Sequence, residues 1–282
     1  MSKKLIKIAH SPDSDDAFMF YALGHGKVVS EKYDFVIERR DIEELNVMAH
    51  DEIFDITAIS MHAYAHVCKK YALTSSGASM AEKDYGPMVI VRNDSEIENV
   101  NDLKDKTVAV PGLTTTACLV LKMLQQSFKA LPMRFDTIME AVKSKKVDAG
   151  LLIHEGQLQF EREGFKKVAS LIDYWKTISS NLPLPLGGNA VKKSLGQDVM
   201  KELSALQKQS IVYAREHRDE AREYAMQFKR DLSHDEAEKY LNWYANDRTL
   251  DMGAEGRAAV ELLLSEAHKR GLLSESIEVE II

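Results

Sequence analysis

The segment Val147-Asp148-Ala149-Gly150-Leu151-Leu152-Ile153-His154-Glu155 is a short apolar run flanked by charge and closed by a histidine. Residues 149–153 are too few for a helix and read as a fully buried strand. Ahead of them, 138–145 has a helical pattern and 133–135 that of a short strand. Strand, helix and strand in that order build a parallel sheet with a helix across its face. In open α/β sheets ligands bind beyond the carboxyl ends of the strands, which is where His154 falls. Histidine has the unperturbed side-chain pKa nearest neutrality, so it gains or loses a proton readily. A lone histidine at a strand end is more often bonded to nearby backbone, so partners elsewhere must decide its role.

The same alternation extends outward. Strands are expected at 5–9, 35–39, 55–59, 88–91 and 107–110. Helices are expected at 16–23, 42–50 and 61–71, with a longer one reaching about 128. Charge clusters over 92–106 without apolar periodicity, which places one chain crossing near Arg92. Asn181-Leu182-Pro183-Leu184-Pro185-Leu186-Gly187-Gly188 cannot be helix interior and reads as the second crossing, with a surface loop the equal alternative from composition. Beyond Ser194 the pattern is helical. Val199, Leu203, Leu206 and Tyr213 share one face, and Ser233 with Glu236 forms a capping box. Gly271 suits a helix C-terminus. The expected fold is α/β and two-domain, with mostly parallel sheets, a central cleft and C-terminal helices. The larger, discontinuous domain would hold 1–92 and 189–282, and the smaller one 93–188. A cleft between domains is a common small-molecule site.

The totals fit this picture. In 282 residues, 45% are apolar and 29% charged, as in ordinary globular proteins. A net charge of −7, with no long Lys/Arg run, argues against nucleic acid as a partner. Cys68 and Cys118 sit in apolar helical patterns and read as small buried hydrophobes. Two cysteines make no disulfide framework, which favours a reducing compartment. The charged start, Met1-Ser2-Lys3-Lys4-Leu5, is no signal peptide, and no apolar run is long enough to cross a membrane. The expectation is a cytoplasmic protein with no membrane partner.

Three strand-to-helix junctions share one design: Ser11 to Asp16, Ser60-Met61, and Gly112 to Thr116. Free amides and partial positive charge at a helix start hold anions well, and the hydroxyls add donors. Such a set could grip a carboxylate and several hydroxyls, although Ser, Thr and Asp cap helices everywhere. Other motifs fail. Gly24-His25-Gly26 ends a helix rather than opening one. His62 and His66 have metal-ligand spacing but no third ligand, and read as a solvated helix face. Asp13, Asp15 and Asp16 lack the glycine and glutamate of a calcium loop and read as caps and turn. No cofactor and no metal are expected.

Four collinear stretches resemble one family. They are Ser11-Pro12 with 16–23, 108–112 with Thr115-Thr116-Ala117, 150–155, and 182–187. Together they are similar to the 1,4-dihydroxy-6-naphthoate synthases of the futalosine route to menaquinone. The resemblance implies a type II periplasmic-binding-protein-like fold. It implies a carbon–carbon lyase that splits cyclic dehypoxanthine futalosine into 1,4-dihydroxy-6-naphthoate and a sugar-derived fragment. It also implies His154 as proton acceptor, ligand contacts at Ala58, Ile59, Ser60, Thr115 and Thr116, and a matching position at Asn46. One stretch departs: the family's first loop reads Ser-Pro-Cys-Pro-Asn-Asp, and here it is Ser11-Pro12-Asp13-Ser14-Asp15-Asp16. Two other readings share the architecture: a binding protein without chemistry, and the chorismate dehydratases of the same pathway. The latter carry Gly-Asp where this chain has His154-Glu155.

Overall fold

Strand β1 (Lys4–His10) is exposed where it begins and buried where it ends, since Lys4 and Lys7 face solvent while Ile6, Ile8 and Ala9 face the core. The computed structural model describes residues 2–82, 85–154, 156–228 and 232–282; Glu155 lies outside them. β1 runs parallel to β2 (Tyr33–Arg39) and β3 (Ile56–Ser60), through helices α1 (Ser14–Gly24) and α2 (Ile42–Met48). Helix α3 (Met61–Val67) follows β3 at once, and short strands β4 (Tyr71–Leu73) and β5 (Ser79–Ala81) come next.

The chain then builds a second sheet. Its elements are β6 (Met88–Arg92), β7 (Thr107–Val110), α4 (Thr116–Leu124), β8 (Lys129–Pro132), α5 (Ile138–Lys143), β9 (Ala149–Leu152), α6 (Gly156–Gln159), β10 (Phe165–Ser170) and α7 (Leu171–Ser179). It returns through β11 (Leu184–Lys192) and closes with α8 (Gln197–Glu216), α9 (Arg218–Ala225), α10 (His234–Tyr244), α11 (Asp247–Leu250) and α12 (Gly253–Lys269). The first sheet has the order β2-β1-β3-β11-β4, with β5 also on β11; the second runs β10-β6-β9-β7-β8. A capping box at Ser233 and Glu236 opens α10, and Gly271 follows α12 with φ 71°.

Three expectations change. Residues 181–188 are not simply a crossing: from Leu184 they form β11, a central strand antiparallel to β3. Pro185 is tolerated because the pairing with β5 shifts register between Pro185 and Gly187. The glycines permit close approach, since a Cβ on Gly188 would lie 2.9 Å from Met61 Cε. The sheets are also mixed rather than mostly parallel, because β11 is antiparallel to three neighbours and β6 is antiparallel to both β9 and β10. Finally, Met88–Arg92 already pairs within the second sheet, so the chain leaves the first sheet ahead of Arg92.

One apolar cluster runs through both sheets and joins Ile59, Met61 and Tyr64 to Val89, Val108, Leu121, Leu151 and Trp175. Among the described residues no helix is long and apolar enough to cross a membrane.

Candidate active site

A cleft of about 670 Å³, its open mouth included, lies where the two sheets meet. Its walls come from the turn after β1, the end of β3, β5, the start of α4, the end of β9, and α10.

The turn after β1 carries most of the charge. Asp13 is the N-cap of α1, and its Oδ1 accepts the Asp16 amide at 3.3 Å. The Ser11 amide and hydroxyl both lie 2.8 Å from Asp16 Oδ2, and the hydroxyl lies 2.5 Å from Asp13 Oδ2. His10 stacks on Phe20 and holds the Ser11 carbonyl through Nδ1 at 2.7 Å. Asp13, Asp15 and Asp16 are all buried.

Three buried carboxylates this close do not ionise together. Burial, then the charge of Asp13, pushes Asp16 up to about 8. Burial and the charges of Asp13 and Asp16 drive Asp15 well above the usual carboxylate range. Burial would raise Asp13 too, but the adjacent His154 and hydrogen bonds from Ser11 and Asp15 outweigh it and hold Asp13 below its ordinary value. Hydrogen-bond accounting agrees. Ser11 has one hydroxyl proton and two carboxylate oxygens in reach, so it donates to ionised Asp13 while Asp16 keeps a proton of its own.

His154 stands two residues beyond the end of β9, in the left-handed region at φ 53°. There the alternation of a strand no longer fixes where the side chain points. Nδ1 lies 3.2 Å from Asp13 Oδ2 and 3.1 Å from the Tyr240 hydroxyl. That hydroxyl lies 3.3 Å from Asp15 Oδ1. The Phe135 ring packs against the imidazole at 4.7 Å between centroids. Nε2 is buried and has no hydrogen-bond partner among the described residues.

Across the cleft, Ala58, Ile59, Ser60, Thr115 and Thr116 line the same cavity as His154. Asn46 does not reach it. It sits behind Ser60, taking the Ser60 amide on Oδ1 at 3.0 Å and donating to Ser60 Oγ at 3.1 Å. Ser60 Oγ is therefore an acceptor toward Asn46, and its own proton has no acceptor among the described residues. The threonines differ from the expectation that their hydroxyls are free donors. Thr115 Oγ1 donates to Gly112 O at 2.9 Å and caps the Cys118 amide at 3.3 Å. Thr116 Oγ1 donates to Leu186 O at 2.5 Å and accepts from the His62 amide at 3.3 Å. With both hydroxyls engaged, the donors left at this junction are the first-turn backbone amides of α4, whose Thr116 and Ala117 line the cavity.

Behind the threonines, Glu43 of α2 accepts from the Thr114 amide at 3.0 Å and its hydroxyl at 2.8 Å, which ties the two sides together. Gly112 is needed there, since a Cβ would lie 2.3 Å from the Glu43 carboxyl. His62 is not on a solvated face. It is buried against α4, and burial followed by the neighbouring His66 lowers it to about 4. Cys118 is buried as expected, and burial pushes its thiol up to about 11.

Sequence reasoning placed Ser11 to Asp16 among the junctions able to hold a ligand but assigned its carboxylates only to caps and turn, and it missed the lining contributed by Ser79, Gln157, Tyr240 and Tyr244. The acidic cluster opening α1 was a usable signal, because carboxylates beyond those a cap requires need another partner. Nothing local marks Tyr240 or Tyr244, which reach the cleft from α10.

Comparison with known proteins gives a consistent answer. Residues 6–269 match a family model described as menaquinone biosynthesis. The chain is 35% identical over 272 residues to a 1,4-dihydroxy-6-naphtoate synthase of Thermus thermophilus, covering 96% of this chain and 97% of that protein. It is 32% identical over 279 residues to the protein of the same name from Streptomyces coelicolor, covering 97% and 96%. A crystal structure of an Archaeoglobus fulgidus protein superposes with a TM-score of 0.87 at 43% identity, covering 95% of this chain and 98% of that one. A Candida albicans protein described as having the generic periplasmic binding protein fold superposes at 0.71 with 16% identity, covering 98% and 92%; this likeness shows the fold alone.

Proposed function

Because this chain belongs to the menaquinone biosynthesis family, we propose that it forms 1,4-dihydroxy-6-naphthoate from cyclic dehypoxanthine futalosine with His154 as the proton acceptor. The observation that carries the assignment of the base is the imidazole itself. It lines the cleft with Nδ1 engaged by Asp13 and Tyr240, while Nε2 is unpartnered among the described residues.

The reaction is a carbon–carbon cleavage. The substrate carboxylate lies on the Thr116 and Ala117 amides, where the first turn of α4 favours negative charge. The Ser60 hydroxyl, held by Asn46, donates to a substrate oxygen. Unprotonated His154 removes a proton, and the electron pair released breaks the linkage between sugar and ring system and lets the second ring become aromatic. A positioned base contributes about 100- to 10,000-fold to such a step. The buried walls keep water from competing.

The test is incubation of the protein with cyclic dehypoxanthine futalosine, followed optically for the naphthoate chromophore. Catalytic turnover is the expected result. Stoichiometric binding without product would make the protein a binder, and activity on chorismate instead would make it the sister dehydratase.

A further inference from the structure

We propose that Asp13 is a positioning residue: its carboxylate holds the Nδ1–H of His154, so that Nε2 carries the lone pair that takes the substrate proton. This rests on the reading of His154 as the base and adds which ring nitrogen acts and what fixes it.

Four observations support it. First, Asp13 Oδ2 lies 3.2 Å from Nδ1, and Asp13 is 2% exposed, so little water competes for the contact. Second, the carboxylate is itself held: Oδ1 caps the Asp16 amide, and Oδ2 takes the Ser11 hydroxyl. It cannot swing away without uncapping α1. Third, donor accounting leaves one consistent tautomer. A carboxylate that faced a bare Nδ1 would set negative charge against a lone pair in a buried site. Tyr240 Oη donates to Asp15 Oδ1 at 3.3 Å and lies 3.1 Å from Nδ1, so its oxygen shares the Nδ1–H with Asp13. Fourth, this leaves the lone pair on Nε2, the ring nitrogen without a partner among the described residues. A carboxylate on the far nitrogen also stabilises the imidazolium formed when the proton is taken.

The decisive measurement is the tautomer of the wild-type ring. In 15N-labelled protein, at a pH where the ring is neutral, ring nitrogen shifts and their couplings to the carbon-bound protons report which nitrogen is protonated. The expected result is a protonated Nδ1 and a bare Nε2; a proton on Nε2 overturns the proposal without any variant. Asp13→Asn keeps the shape and the cap. It should lower kcat by about 100- to 10,000-fold with KM within about threefold, and shift the ring toward the Nε2–H tautomer. Asp13→Glu should recover part of kcat. His154→Gln separates the two readings. If it turns over like wild type, the base assignment fails and this proposal falls with it. If it is inactive while Asp13→Asn keeps wild-type kcat and the wild-type tautomer, the Asp13 proposal alone is wrong.

Discussion

Two turns enter the same cleft, residues 11–16 ahead of α1 and 112–116 ahead of α4, and both cap their helices alike. Asp13 accepts the amide of Asp16, and Thr115 accepts that of Cys118, each three residues on. The difference lies in what remains after the cap. A threonine has one side-chain oxygen, and at Thr115 it serves both the cap and Gly112 O. An aspartate has two, so Oδ1 caps the helix while Oδ2 stays available to His154 and Ser11. One turn is thus left with its backbone amides, and the other brings a carboxylate to His154. Capping chemistry alone does not separate these roles; the spare oxygen and its tertiary partner do.

The contrast can be tested at both turns. The largest effect is expected at the proposed base: His154→Ala should lower kcat by about 100- to 10,000-fold while the melting temperature and substrate affinity stay near wild type. Turnover assays with a thermal melt and a binding titration check this, and unaltered kcat would remove the charged turn from the mechanism.

Next comes the buried acid Asp16. Asp16 is raised from 3.8 to about 8 in the folded protein, chiefly by burial. A carboxylate raised on folding adds stability that is fully present below the unfolded value and lost as pH rises through the folded one. The unfolding free energy of wild type from urea titrations should therefore fall between about pH 4 and 8 relative to Asp16→Asn, by more than about 2 kcal/mol across that window. Parallel pH profiles for the two proteins would show that Asp16 is ionised throughout.

At the amide-presenting turn, Thr116→Val leaves Leu186 O and the His62 amide without their partner and should cost about 1–3 kcal/mol in chemical denaturation. The smallest effect is expected at Ser60→Ala, which removes one neutral donor: KM should rise roughly two- to tenfold with kcat nearly unchanged. A matching fall in kcat would instead place that hydroxyl in the transition state.

How far the sequence could be read follows from how far apart the interacting groups lie. The buried strand ending near His154, the caps at Asp13 and Thr115, and the Ser233–Glu236 box rest on contacts within a few residues, and all were legible. β11 was not, because two prolines and two glycines argue locally for a loop, whereas its place between β3 and β4 depends on strands far away in the chain. The loop that departs from the family pattern read as a helix-start junction whose aspartates only cap and turn, yet Asp13 within it faces the imidazole.

The alternation of strands and helices, the family, the histidine beyond a buried strand and the capped junctions can all be read along the chain, since periodicity and capping are properties of neighbouring residues. Which carboxylate stays charged, which hydroxyls are already engaged, and the reach of Tyr240 to His154 from the C-terminal helices are matters of packing in three dimensions. Burial and hydrogen-bond partnership are set by whatever packs nearby in space, and that information exists only once the two sheets have closed on their cleft.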